Sequence, residues 1–217
     1  MFPKFETITP WALIEPREPA AIDPRERKQL FGDASLGLLY SGSFGRAHSA
    51  HLIPRLAEQL SAFDGRIAFS VRAQDAAKLK RQMGTEGASI AFAPFAASGK
   101  LESRLSAADV HIVSLRESWT GTVVPSKFFG ALAIGRPVLF LGSQDSALAM
   151  WIKEFRVGWI LNDNGFDEVV RELAGLSFAK DAKLRLFYHC HNIYKENFSR
   201  SGALDRWDLV LRGLISS

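Results

Sequence analysis

The chain has 217 residues, of which 27 are Lys or Arg and 23 Asp or Glu, giving a formal net charge of +4. With 47% hydrophobic and 23% charged residues it can bury a core, which excludes a disordered chain. Its single cysteine, Cys190, excludes an internal disulfide and fits a reducing compartment, while the mild basic excess suits an anionic ligand or an anionic membrane surface without a nucleic-acid arm.

Residues 1–34 read as a linker. Pro3, Pro10, Pro16, Pro19 and Pro24 are spaced among charges, a pattern that disfavours regular structure. The start lacks the basic-then-apolar run of a targeting segment, and nowhere is there an apolar stretch of about 18 residues, so no membrane-spanning helix is expected. Trp11 is unusual in such a stretch and is expected to dock on this domain or on another one. Asp23 followed by Pro24 predicts a short capped helix.

From residue 35 onward strands and helices alternate. Strands are expected at Leu36–Tyr40, Ile67–Val71, Ser89–Ala93, Val110–Leu115, Pro137–Leu141 and Gly158–Leu161. Helices are expected at His51–Ser61, with Leu52, Leu56 and Leu60 on one face, and at Ala76–Met83, closed by Gly84. Others follow at Leu101–Ala107, from Ser126 to a break at Gly135, at Ser146–Phe155, and from Phe166 to the end. This alternation predicts an α/β fold: a Rossmann-like, doubly wound parallel sheet of about six strands with a helical C-terminal tail. Its strands are short apolar runs, as strands covered on both faces should be. Ligands bind such sheets at the carboxyl ends of the strands, where the strand order reverses.

Two segments on that edge carry chemistry. Thr120-Gly-Thr-Val-Val-Pro-Ser-Lys127 leads into a helix, and Ser126 with Lys127 would add a hydroxyl and a cation to its free N–H groups, a phosphate site. The alternative is a helix cap beside a solvated lysine. Ser41-Gly-Ser-Phe-Gly-Arg-Ala-His48 is a glycine turn after the first strand; Gly42 and Gly45 suit either a close phosphate or only a tight turn. Arg46 can clamp a phosphate or lie on the surface. His48 can donate to a phosphate or sugar hydroxyl, or be a helix-capping or solvated histidine. Phe95 can stack on a base or fill the core, and Glu117 can accept from sugar hydroxyls or be a loop carboxylate. Gly135 and Pro137 read as structural. His189 and His191, two apart on a helix, point away from each other and make a poor metal pair. No metal or cofactor site is expected, and no GxGxxG, Walker or RNA-binding pattern occurs.

Together, Tyr40-Ser-Gly-Ser-Phe-Gly-Arg-Ala-His48, Leu105-Ser-Ala-Ala-Asp-Val-His-Ile-Val113 and Val124-Pro-Ser-Lys-Phe-Phe-Gly-Ala-Leu-Ala-Ile-Gly-Arg-Pro-Val138 resemble the C-terminal half of GT-B glycosyltransferases. The likeness is nearest to family-4 enzymes of bacterial capsule, O-antigen and colanic-acid synthesis, and runs from about Gly32 to a tail containing Tyr194–Arg200 and Trp207. The resemblance implies a nucleotide-sugar donor, with UDP as the expected nucleotide, as substrate rather than cofactor. Gly42, Ser43 and Arg46 would face its diphosphate, the Phe95 loop its base, and Ser126 and Lys127 its phosphates and ribose. Glu117, Thr120, Gly121 and Thr122 would line the sugar pocket. Many family-4 members carry two glutamates where this chain has Thr122 and Gly130, so ribose and sugar recognition must differ here. The resemblance further implies a partner, the N-terminal acceptor-binding half. It also implies transfer to a lipid-linked or polysaccharide acceptor in the cytoplasm, with peripheral contact at the inner membrane face. The other readings are a non-catalytic nucleotide-sugar-binding or protein-interaction subunit, and an unrelated sugar-phosphate enzyme on the same fold.

Overall fold

The computed structural model describes residues 7–83, 90–97 and 99–215; Pro3, the helix stop at Gly84 and the strand start at Ser89 fall outside these. In chain order the elements are α1 (Pro24–Phe31), β1 (Leu36–Ser41), α2 (Ile53–Ser61), β2 (Gly65–Ser70), α3 (Ala73–Met83), β3 (Ile90–Ala93), α4 (Leu101–Ser106) and β4 (Val110–Ser114). A 3₁₀ turn (Glu117–Trp119) precedes α5 (Lys127–Ala133), β5 (Val138–Leu141), α6 (Ala147–Phe155), β6 (Gly158–Leu161), α7 (Phe166–Phe178), α8 (Lys180–Asn197) and α9 (Arg200–Ile215). Thus the expected tail is helical but breaks twice, near Ala179 and Phe198. Helix α3 begins at Ala73, earlier than expected, and carries Asp75 in its first turn, where the helix dipole favours a carboxylate.

Among the described residues the six strands are all parallel, in the order β3-β2-β1-β4-β5-β6. The order reverses between β1 and β4, which opens a crevice at their carboxyl ends. Side chains alternate across each strand, so each face has its own core. On one face Leu38, Tyr40, Phe69, Ile112 and Leu139 pack with Leu52, Leu56 and Leu60 and with Leu173 of α7. On the other, Val113 and Phe140 meet Phe128, Phe129, Ile152 and Tyr194, while Leu39 and Ala68 meet Phe31, Leu105 and Ile134. The three leucines expected on one helix face are all buried.

Two buried charges tie distant segments to this frame. Asp109, 1% exposed, accepts from the Gly37 amide at 2.7 Å and pairs with Arg27 at 2.9 Å and Lys183 at 3.0 Å. It joins β1, α1 and α8, and removing either cation would leave buried charge behind. Arg136, also 1% exposed, donates to the carbonyls of Ala20, Ser106, Ala108 and Ile134 at 2.8–3.0 Å. Burial pulls its pKa down to about 10, still charged at neutral pH. Gly135 adopts φ +79°, and a Cβ there would stand 2.8 Å from Pro19 Cβ and 2.9 Å from the Phe187 carbonyl. Only glycine lets the helix end turn back so closely under the N-terminal segment at Pro19.

Residues 7–22 have no regular structure, yet they run as a strap across the second face. The Ala20 amide donates to the Ile134 carbonyl at 3.1 Å, and the Ala12 amide donates to Tyr194 Oη at 2.9 Å. Glu15 accepts from Tyr194 Oη and from the Arg200 amide. At its end, Asp23 caps α1 as expected, accepting from the amides of Arg25 and Glu26.

Candidate functional site

Strand β1 ends at Ser41, and Gly42 turns the chain away with φ +123°. The turn itself requires glycine, and a Cβ there would stand 2.8 Å from Lys127 Cε, so the lysine's end would have to move aside. Lys127 opens α5. Its Nζ sits 5.0 Å from the Tyr40 ring centroid and 3.4 Å from the Ser43 carbonyl. Tyr40 Oη donates to that same carbonyl at 2.8 Å, which orients the turn. Burial pushes the Lys127 pKa down to about 8. Among the described residues no carboxylate pairs with it. A half-buried ammonium without a counter-ion is costly, and an incoming anion relieves the cost.

Ser126 departs from the expected cap. Its backbone is already helical and its hydroxyl makes no capping bond. Helix α5 is only seven residues long, so cationic recognition at this end rests on Lys127 more than on the helix terminus. Both residues border a cavity of about 710 Å³ at the β1/β4 crevice. Gly42 and Ser43 line it from the turn, and Phe95, 40% exposed, lines it from the loop after β3, with Arg72 5.6 Å from its ring centre. Across from them, Trp11 through Ile14 of the strap form a wall, and the floor includes Leu105, His111 and Gly130.

The structure therefore gathers Gly42, Ser43, Phe95, Ser126 and Lys127 around one space. The other residues expected there are placed elsewhere. Glu117 is exposed in the 3₁₀ turn and lines a separate cavity of about 450 Å³, with His51, Arg116 and Asp163, beyond β4, β5 and β6. It does not share a wall with Lys127, whereas the sequence reading grouped the two at one donor site. Gly45 and Arg46 are exposed on the outer part of the glycine turn and line neither cavity. Thr120, Gly121 and Thr122 form the loop ahead of α5 and also line neither. Thr120 Oγ1 is buried without a partner, and Gly121 takes φ +78°.

His48 is half-buried in an aromatic cluster, with ring centres 5.7 Å from Tyr40 and 5.6 Å from Phe44. Its Nδ1 lies 2.7 Å from the Ser114 carbonyl, so this nitrogen donates. Burial, and then the Lys127 charge, lowers its pKa, so it stays neutral at pH 7. This histidine braces the turn from behind. At the other end of the chain, His189 faces the Phe155 carbonyl and His191 the Ala133 carbonyl, so the two diverge.

Trp11 and His111 were not expected in the site, and Gly130 was expected there only as the place of an absent family glutamate. A glycine inside a helix was a usable signal for Gly130, since helices disfavour it. Nothing local marks the strap, which reaches the cavity only through tertiary contacts.

No protein-family model matches the chain, and no curated protein does. Solved structures do match. The HepE structure from Anabaena in complex with UDP-glucose aligns at TM-score 0.62 and 13% identity, over 89% of this chain and 54% of that one. WaaG, a glycosyltransferase involved in lipopolysaccharide biosynthesis, aligns at TM-score 0.63 and 14% identity, over 92% and 55%. Sucrose-phosphate synthase from Thermosynechococcus elongatus aligns at TM-score 0.63 and 17% identity, over 91% and 50%. The chain spans about half the length of these proteins. At such identities the likeness concerns the fold: a six-stranded, Rossmann-like parallel sheet of the kind that forms one half of a GT-B glycosyltransferase.

Proposed function

We propose that this chain is the donor-binding half of a glycosyltransferase and that its large cavity holds a nucleoside diphosphate sugar, a UDP-sugar in the first instance. The observation that carries this reading is Lys127, desolvated and without a carboxylate partner, where the glycine turn meets the cavity. A diphosphate at Gly42, Ser43 and Lys127 would leave the base to the loop of Phe95, whose exposed ring offers a stacking surface. The sugar would then extend outward, toward Arg46 and the 120–122 loop. When the bond to the sugar breaks, negative charge grows on the diphosphate, and fixed cations at that place stabilise it. Lys127 supplies one, and Arg46 would supply a second by swinging inward from its exposed position. That the HepE structure holds UDP-glucose on this fold supports the choice of donor.

In this reading residues 1–34 are the connector to an N-terminal acceptor-binding half, and residues 35–217 the donor domain. Two observations support such a partner. The chain covers only about half of each matched structure. Helix α9 also leaves Leu204, Trp207 and Leu211 exposed at spacings of three and four, a face fit for another apolar surface. Transfer to a lipid-linked or polysaccharide acceptor by peripheral contact at the cytoplasmic membrane face completes the proposal; among the described residues no helix is long and apolar enough to cross a membrane. A non-catalytic nucleotide-sugar-binding subunit would use the same cavity; sugar transfer after adding the N-terminal half separates the two.

Calorimetric titration with UDP, GDP and ADP, without added metal, tests the donor site. One diphosphate should bind. Lys127→Ala and Arg46→Ala should each weaken it by more than about 1 kcal/mol, the scale of one charge-assisted contact. Binding unchanged in both variants would move the phosphate away from the glycine turn.

A further inference from the structure

One polar side chain on the cavity floor has no assigned task. His111, in β4, is 3% exposed and yet lines the cavity. Its Nε2 lies 3.0 Å from the Leu105 carbonyl. A carbonyl only accepts, so Nε2 carries the proton and donates, and Nδ1 is left as a lone-pair acceptor. Burial first, and then the charge of Arg136, push its pKa down to about 4, so this tautomer stays neutral at pH 7. Among the described residues Nδ1 has no hydrogen-bond partner.

A second observation concerns the same cavity floor. Gly130 lines the same cavity from the middle of α5, where a glycine weakens the helix. A Cβ built there meets nothing closer than Leu105 Cδ1, at 4.0 Å. Leu105 is also the residue whose carbonyl holds His111, so Gly130, Leu105 and His111 are neighbours on the floor. The missing side chain leaves room there for about one methyl group, bounded by Leu105 Cδ1.

The spacing along α5 says what part of a ligand this stretch of the floor would meet. Gly130 follows Lys127 by three residues, which is about 4.5 Å along a helix axis. With a phosphate at Lys127, the next group inward in a nucleoside diphosphate is the ribose. Its 2′ and 3′ hydroxyls are hydrogen-bond donors, and a neutral Nδ1 can only accept.

Resting on the donor-site reading above, we infer that His111 Nδ1 accepts a hydrogen bond from a ribose hydroxyl of the bound nucleotide, in the part of the cavity that Gly130 also lines. His111 would thereby select ribonucleotides over deoxyribonucleotides.

The test is titration of the intact chain at pH 7 with UDP, 2′-deoxy-UDP and 3′-deoxy-UDP. In the parent at least one deoxy analogue should bind about fivefold more weakly than UDP, the loss of one net hydrogen bond. In His111→Leu, which removes the acceptor at similar volume, that ratio should fall to within about twofold, on the same criterion. Should this buried substitution prevent folding, Gly130→Ala decides instead. Its methyl takes up that room and is tolerated by the fold, so UDP should lose affinity while the deoxy analogue changes little. Equal binding of UDP and both analogues by the parent would overturn the inference and leave the donor site standing. So would discrimination that survives in His111→Leu, or in Gly130→Ala where that variant decides. No binding of UDP, GDP or ADP by the parent would overturn the donor site and this inference together.

Discussion

Gly130→Ala should make the ligand-free chain more stable. In a helix interior alanine is favoured over glycine by about 0.8–1 kcal/mol, because glycine loses more backbone freedom on folding. That gain survives only if the new methyl meets no obstacle. Here the nearest atom is Leu105 Cδ1 at 4.0 Å, an ordinary van der Waals distance, so no strain offsets it. For a chain of this length about 1 kcal/mol raises the melting temperature by about 2–4 °C. Differential scanning calorimetry of parent and variant, without ligand, measures the shift. Repeating both scans with UDP gives the second half of the prediction: ligand stabilisation follows the ratio of concentration to Kd, so the variant should gain less from UDP than the parent. A melting temperature equal to or below the parent's would refute the reasoning. It would mean that the face of α5 at residue 130 is packed, and the cavity floor would lose that room.

The pH dependence of Lys127 offers an independent check. Its native pKa of about 8 lies below the ordinary value of 10.5, so the unfolded chain binds more protons between the two. Stability from this group is therefore lowest below pH 8 and recovers as pH rises towards 10.5. Urea unfolding from pH 7 to 10 should show Lys127→Met more stable than the parent at pH 7, with the difference shrinking as pH rises; a constant difference would mean that the ammonium is not desolvated. Gly42→Ala should destabilise the chain by about 1–3 kcal/mol, since φ +123° disfavours any side chain and the new Cβ would press on Lys127 Cε. The same displacement should weaken UDP binding, and a variant as stable and as tight as the parent in urea unfolding and titration would contradict the described turn.

Much of the fold was legible because its rules are local. Leu36–Tyr40 and Val138–Leu141 are continuous apolar runs, the mark of strands buried on both faces. Asp23-Pro24 and Gly135 announce a helix start and stop by backbone chemistry alone. The break between α7 and α8 was not legible, since Ala179 carries no turn signal, while Ser199, whose Oγ accepts from the Gly202 amide at the start of α9, was an overlooked cap. The candidate site was half legible. Gly42, Ser43 and Lys127 stand out because a glycine turn and a lysine ahead of a short helix are recognisable in one dimension. Glu117 looks equally promising in one dimension, yet it faces a different cavity because the chain turns at Trp119 before reaching α5.

By itself the sequence determined the alternation of strands and helices, the parallel class of the sheet, and the segments that fall on its carboxyl edge. Those follow from side-chain period, burial and turn chemistry, which act within a few residues. Tertiary structure alone decided that β4 pairs with β1, that Phe95 and Lys127 border one cavity, and that the strap at Trp11 walls it. It also decided that the buried His111 lines that cavity while its Nε2 donates to the Leu105 carbonyl. These are choices among contacts far apart in the chain, made by the packing of whole elements and by which way each side chain points, and no local pattern encodes them.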